Sequence, residues 1–543
     1  MKKHLIKIFP LIGLALLLIL SACTKNDADS SKTPASPNSA SGEKIVSVGI
    51  VNPISSINPI NTADVGSREV INLLFDSLYD VNEELEFIPK LAKEFKSDDN
   101  QTFTITIEPE ANWTDGKPVS SEDILFTLNT MANPDVHSLG LPSLSVIEGL
   151  DDDGRLPEGE ESITGFEIID EKTFSVKTKN PIDPNILKEN LGYLINIIPK
   201  HVLKDIDPDK LHLDPFMENP TVTSGPLTLV KLANDSYVEF KANPDYYRGA
   251  PKIDKLIIKI MPSSNLVAQL QTGEIQMVHP GVGAIPVQDF EKVRSIEGIK
   301  TIQGKPFDYQ TMFFNMNVFD DASVRLAIVH AINRPMLVDT LLQGEAEIVN
   351  SSFTTIHPYY NQDIEIYEYD PEKSKKLLKD ANWDLSKPIN LAVPVGNQIR
   401  EQAAAIIAEN LKAVGFKVEI NKYDFPTLMQ KGKNHDFDLL MMGMPLRVDP
   451  NRSSNILHEK GGMINYSDYD NPKINQLFAD GKSEDDPAKR KIIFNELQEI
   501  LNVDLPIITL FSAYSFKPVS DKMIVGEPKS MGMFYDVHEW DIK

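Results

Sequence analysis

The chain has 543 residues, of which 41% are hydrophobic and 24% are charged, and its formal net charge is −25. This length is sufficient for two or three domains with sizeable hydrophobic cores. The acidic balance disfavours nucleic acid and anionic lipid as partners, because like charges repel.

The amino terminus has the pattern of a lipoprotein secretion signal. Three lysines precede an apolar run at residues 11–20, which is too short for a membrane span. The run leads into Leu-Ser-Ala-Cys, ending at Cys23, the single cysteine of the chain. We expect cleavage after residue 22, a lipid on Cys23, and a flexible tether at residues 23–43, rich in Ser, Asn, Asp and Pro. An ordinary secretion signal with a chance cysteine is the alternative.

The first half of the body begins with strand patterns and one well-marked helix. A strand starts after Lys44 (IVSVGIV), and residues 103–107 (FTITI) alternate as a strand does. Ser120 and Asp123 have the spacing of a capping box, and apolar residues then follow along one helical face. These patterns predict a mixed α/β protein.

The second half predicts alternating helices and strands. Asp370 followed by Pro371 predicts a helix start, with a cap and then proline in the first turn. Residues 399–414 predict a helix that Gly415 ends, and two strands follow, FKVEI and residues 439–442. This order indicates a parallel sheet covered by helices.

The sequence contains none of the common catalytic motifs. Gly-x-Ser-x-Gly, His-Glu-x-x-His, the P-loop and Gly-x-Gly-x-x-Gly are all absent. The acidic run that begins at Asp151 resembles a calcium loop, but Gly149 stands at the first ligand position. We therefore expect no enzyme activity, no cofactor and no metal site.

Several blocks of the chain, in order, resemble the bacterial solute-binding protein family 5, which delivers oligopeptides, dipeptides and nickel chelates to ABC importers. The most specific block is residues 91–129, with Trp-Thr-Asp-Gly-Lys-Pro followed by the capped helix. The other blocks are residues 197–204, 224–227, 243–256, 269–275, 313–334 and 369–383. Together they extend the resemblance over roughly the whole chain after the tether.

The resemblance implies an α/β fold of the type II periplasmic-binding-protein kind, with two lobes, hinge strands and an extra third domain. The implied segments are lobe I at 44–75, 219–314 and 506–543, the extra domain at 76–218, and lobe II at 315–505. The implied function is capture of oligopeptides between the lobes for an ABC permease and a separate ATPase. The implied state is a monomer outside the cytoplasm, held to the cell membrane by lipid alone.

The resemblance also suggests where a peptide would bind. The segments that cross between the lobes are the candidate walls of the cleft. Asn315 and Asn317 would offer amide groups on one crossing segment, and Phe511 and Tyr514 would line the other. For the phenylalanines, a place in the hydrophobic core is an equally good interpretation.

One loop departs from the family pattern. Residues 443–450 read Gly-Met-Pro-Leu-Arg-Val-Asp-Pro, where oligopeptide binders often carry an Asp that holds the peptide's ammonium group. Here Leu446 or Arg447 stands at that place, and a cation cannot hold an ammonium. Asp449 could take over, Arg447 could hold a carboxylate, backbone contacts could suffice, or Arg447 could face solvent.

Two alternatives to peptide import remain from the sequence. A metal chelate could bind through Arg447 and a histidine from a predicted loop, namely His357, His435 or His458. The same fold could also serve as a receptor for a peptide signal or as an adhesin, using the same cleft.

Overall fold

The computed structural model describes residues 42–61, 64–136, 138, 143–233, 236–283 and 285–543, without the side chains of residues 453–456. Cys23, the predicted signal and the predicted tether up to residue 41 lie outside this part of the chain. Among the residues described, no helix is both long enough and apolar enough to cross a membrane.

The strands are numbered along the chain. Their bounds are β1 Ile45–Ile50, β2 Tyr79–Val81, β3 Phe87–Pro89, β4 Ala92–Lys96, β5 Thr102–Ile107, β6 Phe166–Ile168, β7 Thr173–Lys177, β8 Leu227–Ala233, β9 Tyr237–Ala242, β10 Lys255–Ile260, β11 Met277–Val278, β12 Ile299–Gln303, β13 Asp308–Phe314, β14 Ala346–Glu347, β15 Pro388–Pro394, β16 Lys417–Tyr423, β17 Leu439–Pro445, β18 Ile507–Ala513, β19 Phe516–Ser520, β20 Met523–Val525 and β21 Asp541–Ile542.

The α-helices are numbered in the same way. Their bounds are α1 Val65–Leu74, α2 Ser121–Ala132, α3 Pro184–Leu187, α4 Lys200–Leu203, α5 Ser263–Thr272, α6 Phe290–Arg294, α7 Ala322–Ala331, α8 Arg334–Met336, α9 Pro371–Asp380, α10 Gln398–Ala413, α11 Phe425–Lys433, α12 Pro450–His458, α13 Pro472–Ser483 and α14 Pro487–Asp504. A π-helical turn at Lys188–Tyr193 follows α3 directly.

Local sequence signals account for the ends of several helices. The capping box of α2 forms as predicted, since the Asp123 carboxylate accepts a hydrogen bond from the Ser120 backbone N–H at 2.9 Å. The Asp370 side chain caps α9 by accepting from the Lys373 N–H at 2.9 Å. Gly415 lies just past α10 with φ +110°, a left-handed conformation that favours glycine.

Two large sheets form the two lobes, and each contains parallel pairs. The first has the order β12-β19-β11-β1-β10-β9-β8, with β1 parallel to β10 and β11. The second has the order β14-β18-β13-β17-β15-β16, with β15 parallel to β16 and β17. The parallel sheet predicted from the alternation after residue 399 is therefore confirmed.

A third, four-stranded antiparallel sheet, β4-β5-β7-β6, lies within residues 92–177 together with α2. Its apolar face shares one hydrophobic core with the first large sheet, including Phe103 and Trp113 beside Val48 and Leu256. The second large sheet packs in three other cores, the largest of which also includes Leu266 of α5 and Val278 of β11. The third sheet and the first lobe are thus joined by buried apolar surface.

The sheet boundaries differ from the lobe boundaries predicted at residues 314 and 506. Both β13 and β18 are paired inside the second sheet, so the chain crosses between the sheets at residues 304–307 and 514–515. The sequence resemblance carries no information on which sheet a strand joins.

Candidate ligand-binding cleft

The two large sheets meet at their carboxyl edges. In the second sheet, β15 and β17 end there, and β13, which is antiparallel to β17, begins there. In the first sheet, β1 and β11 end there, and β12 leads directly into the crossing segment. Ligands of open α/β sheets bind outside the carboxyl ends of the strands, so the space between these two edges is the candidate cleft.

The edge of the second sheet carries polar side chains on a face that is otherwise apolar. Along β13, Phe314 and Met312 are buried on this face, whereas Gln310 and Asp308 follow at the edge. Across the strand pair, Gly443 of β17 is the register partner of Gln310. Arg400, in the first turn of α10, covers the glycine, and its Nε donates to Gln310 Oε1 at 2.7 Å.

Asp308 and Arg400 influence one another electrostatically. The Asp308 carboxylate is reachable by solvent, yet enough protein surrounds it for desolvation to raise its pKa to about 6, an increase that Arg400 limits. Burial lowers the pKa of Arg400, and Asp308 acts against that shift. Two opposite charges in a partly dehydrated groove can each bind a complementary group of a ligand.

The edge of the first sheet presents an imidazole and a carboxylate. His279 directly follows β11, and its backbone N–H donates to the Gly49 carbonyl of β1 at 3.0 Å. Its Nε2 lies 3.6 Å from Glu69 Oε2, a carboxylate on α1. The neighbouring Arg68 donates from Nη1 to the Leu194 carbonyl at 3.3 Å.

Tyr193 lies where the lobes and the third domain come together. Burial is the main cause that raises its pKa, and the charges of Asp80, Glu69, Arg68 and Arg447 also act on it. Arg447 comes from the loop after β17, so groups of both lobes surround this phenol. The Arg447 guanidinium forms no ion pair or hydrogen bond with any residue that the structure describes.

Polar contacts across the cleft hold the lobes together. The Asp449 N–H donates to Glu189 Oε2 at 2.7 Å, and Arg452 Nη1 donates to Asn190 Oδ1 at 2.9 Å. Arg490 bridges Asp449 at 2.6 Å and Asp183 at 3.3 Å. These contacts join the π-helical turn and Asp183 to the second lobe.

Glu189 is the least hydrated acid in this interface. Burial is the largest cause that raises its pKa to about 7, and Asp449 adds to the rise, while Arg452, the Asp449 N–H and Arg447 oppose it. Desolvation therefore raises the pKa of Glu189 by more than its hydrogen bond and the nearby cations lower it.

The structure corrects the roles predicted for Asn315 and Asn317. Asn315 is buried, and its amide donates to the carbonyls of His435 and Phe437 at 3.0 and 2.7 Å. Its Oδ1 accepts from the Asn317 N–H at 3.0 Å, and the Asn317 side chain is exposed. Both follow the carboxyl end of β13, which is the opposite end from the cleft because this strand runs antiparallel to β17.

The other predicted contacts have mixed positions. Phe511 is buried in the core and is the register partner of Gln310, so its side chain packs inside the second lobe. Tyr514 is half-buried at the crossing, with its N–H bound to the Glu345 carbonyl at 2.9 Å. Asp449 is buried, caps α12 and pairs with Arg490, so it has no free oxygen for an ammonium. Of the six predicted residues, Arg447 alone carries a charged group without an ion pair or hydrogen bond to a described residue.

The three predicted histidines do not lie at the cleft edges. His357 is buried with Nε2 3.2 Å from the Val448 carbonyl, and burial lowers its pKa to about 4. His435 bonds the Tyr466 carbonyl at 2.9 Å, and the buried His458 bonds Ser352 Oγ at 2.8 Å. Among the described residues there is no group of three or more His, Cys, Asp or Glu side chains placed to hold a metal ion.

The sequence prediction did not name the polar groups that the structure places at or near the two carboxyl edges, namely Glu69, Tyr193, His279, Asp308, Gln310 and Arg400. A usable signal was present in two places. In β13, the alternation that buries Met312 and Phe314 changes to Gln310 and Asp308, which marks a sheet edge. In α10, a lone arginine in the first turn follows a parallel strand.

Comparisons with known proteins agree with this architecture. The family described as bacterial extracellular solute-binding proteins, family 5, middle region, matches residues 86–462. The oligopeptide-binding protein AppA of Bacillus subtilis is 24% identical over 553 residues, covering 97% of each chain. The dipeptide-binding protein of Escherichia coli K12 is 25% identical over 458 residues, covering 80% of this chain and 82% of that protein.

A solved structure has the same fold over nearly its whole length. AppA of Bacillus subtilis in complex with a nonapeptide superposes with a TM-score of 0.77 at 22% identity, covering 92% of this chain and 99% of that chain. The family match spans more than half of the sequence. The chain therefore belongs to family 5 of the bacterial extracellular solute-binding proteins.

Proposed function

We propose that this chain is the substrate-binding lipoprotein of an ABC importer and that it captures oligopeptides between its two lobes. The observation that carries the proposal is the pair of carboxyl edges that face each other, with charged groups left unpaired between them. Arg447 and Asp308 are the clearest cases. Peptide-binding relatives with full-length similarity support the class of ligand.

The second lobe supplies cations for the negative end of a peptide. Arg447 has no ion-pair or hydrogen-bond partner among the described residues. Arg400 donates from Nε to Gln310, and its Nη2 lies over Gly443. A guanidinium can bind a carboxylate through two parallel hydrogen bonds, a strong and directional contact. A peptide's carboxyl end or an acidic side chain fits these two arginines.

The protein would act at the outer face of the membrane as a monomer without catalytic activity. Lipid on Cys23 would tether it, and the permease and ATPase would be separate chains that favour the open form and so release the peptide. A Cys23→Ser variant tests the anchor. The parent should fractionate with membranes and the variant should be released, whereas equal membrane retention of both would contradict lipid anchoring.

Native mass spectrometry of the protein purified from a peptide-rich medium tests the ligand. A series of bound masses that spans several peptide lengths is the expected result. A single peptide adduct would favour a signal receptor instead, and an adduct with a metal isotope pattern would favour a chelate, for which His279 is the histidine at the cleft edge. Protein that is empty and ignores a peptide library would refute the proposal.

A further inference from the structure

His279 has a hydrogen-bond donor fixed in one position. Its Nδ1 accepts from the backbone N–H groups of Gly281 and Val282 at 3.0 and 3.3 Å. With Nδ1 as the acceptor, the ring proton of the neutral imidazole lies on Nε2. That Nε2 is buried and has no hydrogen-bond partner among the described residues. An unpaired buried donor is costly, and a ligand that accepts from it would remove the cost.

The Glu69 carboxylate lacks a hydrogen-bond donor among the described residues. Its Oε2 lies 3.6 Å from His279 Nε2, which is too far for a hydrogen bond, and its side chain is only 17% exposed. None of the described groups donates a hydrogen bond to this carboxylate. A partly dehydrated carboxylate without a donor is stabilised strongly by a cation that brings N–H groups.

The surroundings of Glu69 favour a positive ligand group. Asp80 lies close enough for Glu69 to raise its pKa, although burial of Asp80 is the larger cause. Arg68, the adjacent cation, has Nη1 committed to the Leu194 carbonyl. Tyr193 lies within electrostatic range of Glu69 and also of Arg447 from the other lobe. Because its carboxylate lies 3.6 Å from His279, which directly follows β11, Glu69 lies at the carboxyl edge of the first sheet.

We propose that Glu69 binds the ammonium group at the amino end of the peptide and that His279 Nε2–H donates to a carbonyl next to it. The first lobe would then supply the acid that the loop 443–450 of the second lobe lacks, where Arg447 is a cation and Asp449 is committed to Arg490. The peptide's amino end lies against the first lobe and its negative end against Arg447. This inference rests on the proposed peptide function.

Calorimetric titration with hexaalanine and with N-acetyl-hexaalanine tests the assignment, because the two peptides differ only in the ammonium charge. The parent should bind the free peptide at least 10-fold more tightly than the acetylated one. Glu69→Gln should weaken binding of the free peptide about 10- to 100-fold and leave the acetylated peptide unchanged. Glu274→Gln, which removes an exposed acid paired with Lys259, is the matched control and should change neither.

His279→Asn gives an independent reading. The asparagine oxygen can still accept from the Gly281 and Val282 N–H groups, while the Nε2 donor is lost, so the fold should persist. Both peptides should then bind less tightly by a similar factor of about 5 to 10. Thermal melting of each variant confirms that the protein is folded.

The outcomes distinguish the roles of Glu69 and His279 from the proposed peptide-binding function. Equal binding of the free and acetylated peptides by the parent, or an unchanged preference in Glu69→Gln, overturns the role of Glu69. An unchanged affinity in His279→Asn overturns the role of His279, and leaves an ordered water as the group between the two side chains. Failure of the parent to bind any peptide overturns the proposed function, and this inference with it.

Discussion

Gly443→Ala should weaken ligand binding while leaving the fold nearly intact. A Cβ at this position would lie 2.6 Å from Arg400 Nη2 and 2.8 Å from Gln310 Nε2. Ordinary contact begins near 3.4 Å, so the arginine terminus must move by about 0.8 Å or more. Both obstructing atoms are ends of flexible side chains, and the backbone of β17 therefore need not shift.

The size of the effect follows from the contacts that are lost. Displacing Arg400 breaks its 2.7 Å hydrogen bond to Gln310, which should lower the free energy of unfolding by about 1 kcal/mol. If Arg400 binds a negative group of the peptide, its displacement should cost about 1.5–3 kcal/mol of binding, or roughly 10- to 150-fold in Kd. Calorimetric titration with a peptide that the parent binds measures the change in Kd. Chemical denaturation measures the change in the free energy of unfolding.

Gly225→Ala is the control with the opposite expectation. A Cβ there would meet the Leu73 carbonyl oxygen at 2.4 Å and the Leu74 carbonyl carbon at 2.8 Å, which are backbone atoms that cannot move aside. We expect a loss of more than about 2 kcal/mol in stability with little change in the affinity of the folded fraction. A Gly443→Ala variant that binds like the parent would refute the assignment of Arg400 to the cleft.

Three further changes test other parts of the structure. Arg447→Ala should weaken peptide binding by about 1.5–3 kcal/mol in calorimetry while changing stability by less than about 0.5 kcal/mol, since the guanidinium has no protein partner among the described residues. Asn315→Ala should lower the free energy of unfolding by about 2 kcal/mol, because it removes the donor from one buried and one partly buried carbonyl, whereas Asn317→Ala should be nearly neutral. His458→Gln should reduce the stability lost between pH 7 and pH 5 by about 2 kcal/mol in denaturation curves.

The sign of the last effect follows from the His458 pKa, which burial lowers to about 3. The unfolded chain takes up a proton on this histidine near pH 6.5, and the folded protein does so only near pH 3. Its contribution to stability is therefore lost as the pH falls below 6.5. Parallel pH dependence in parent and variant would show that His458 is accessible to protons in the folded state.

Unchanged peptide affinity in Arg447→Ala would mean that this residue faces solvent.

Helices and the sheet type could be predicted because their signals are local. The capping box at Ser120, the Asp370 cap and Gly415 each define an element end within a few residues. The alternation of helix and strand after residue 399 predicts parallel pairing, since a helix must carry the chain back. None of these signals depends on distant parts of the chain.

The cleft could not be located from the same signals. The alternating pattern of β13 is the same whichever way the strand runs, so it does not tell which end lies at the carboxyl edge. The prediction chose Asn315 at the far end, and Asp308 at the near end was missed. Glu69 and His279 are 210 residues apart, and only the pairing of β11 with β1 brings them together.

The most direct test of the central claim is a crystal structure of the protein with the peptide that copurifies with it. We expect electron density for an extended peptide between the two carboxyl edges, with its amino end at Glu69 and a negative group at Arg447 or Arg400. Peptide density elsewhere, or a peptide between the lobes that touches none of these three side chains, would contradict it.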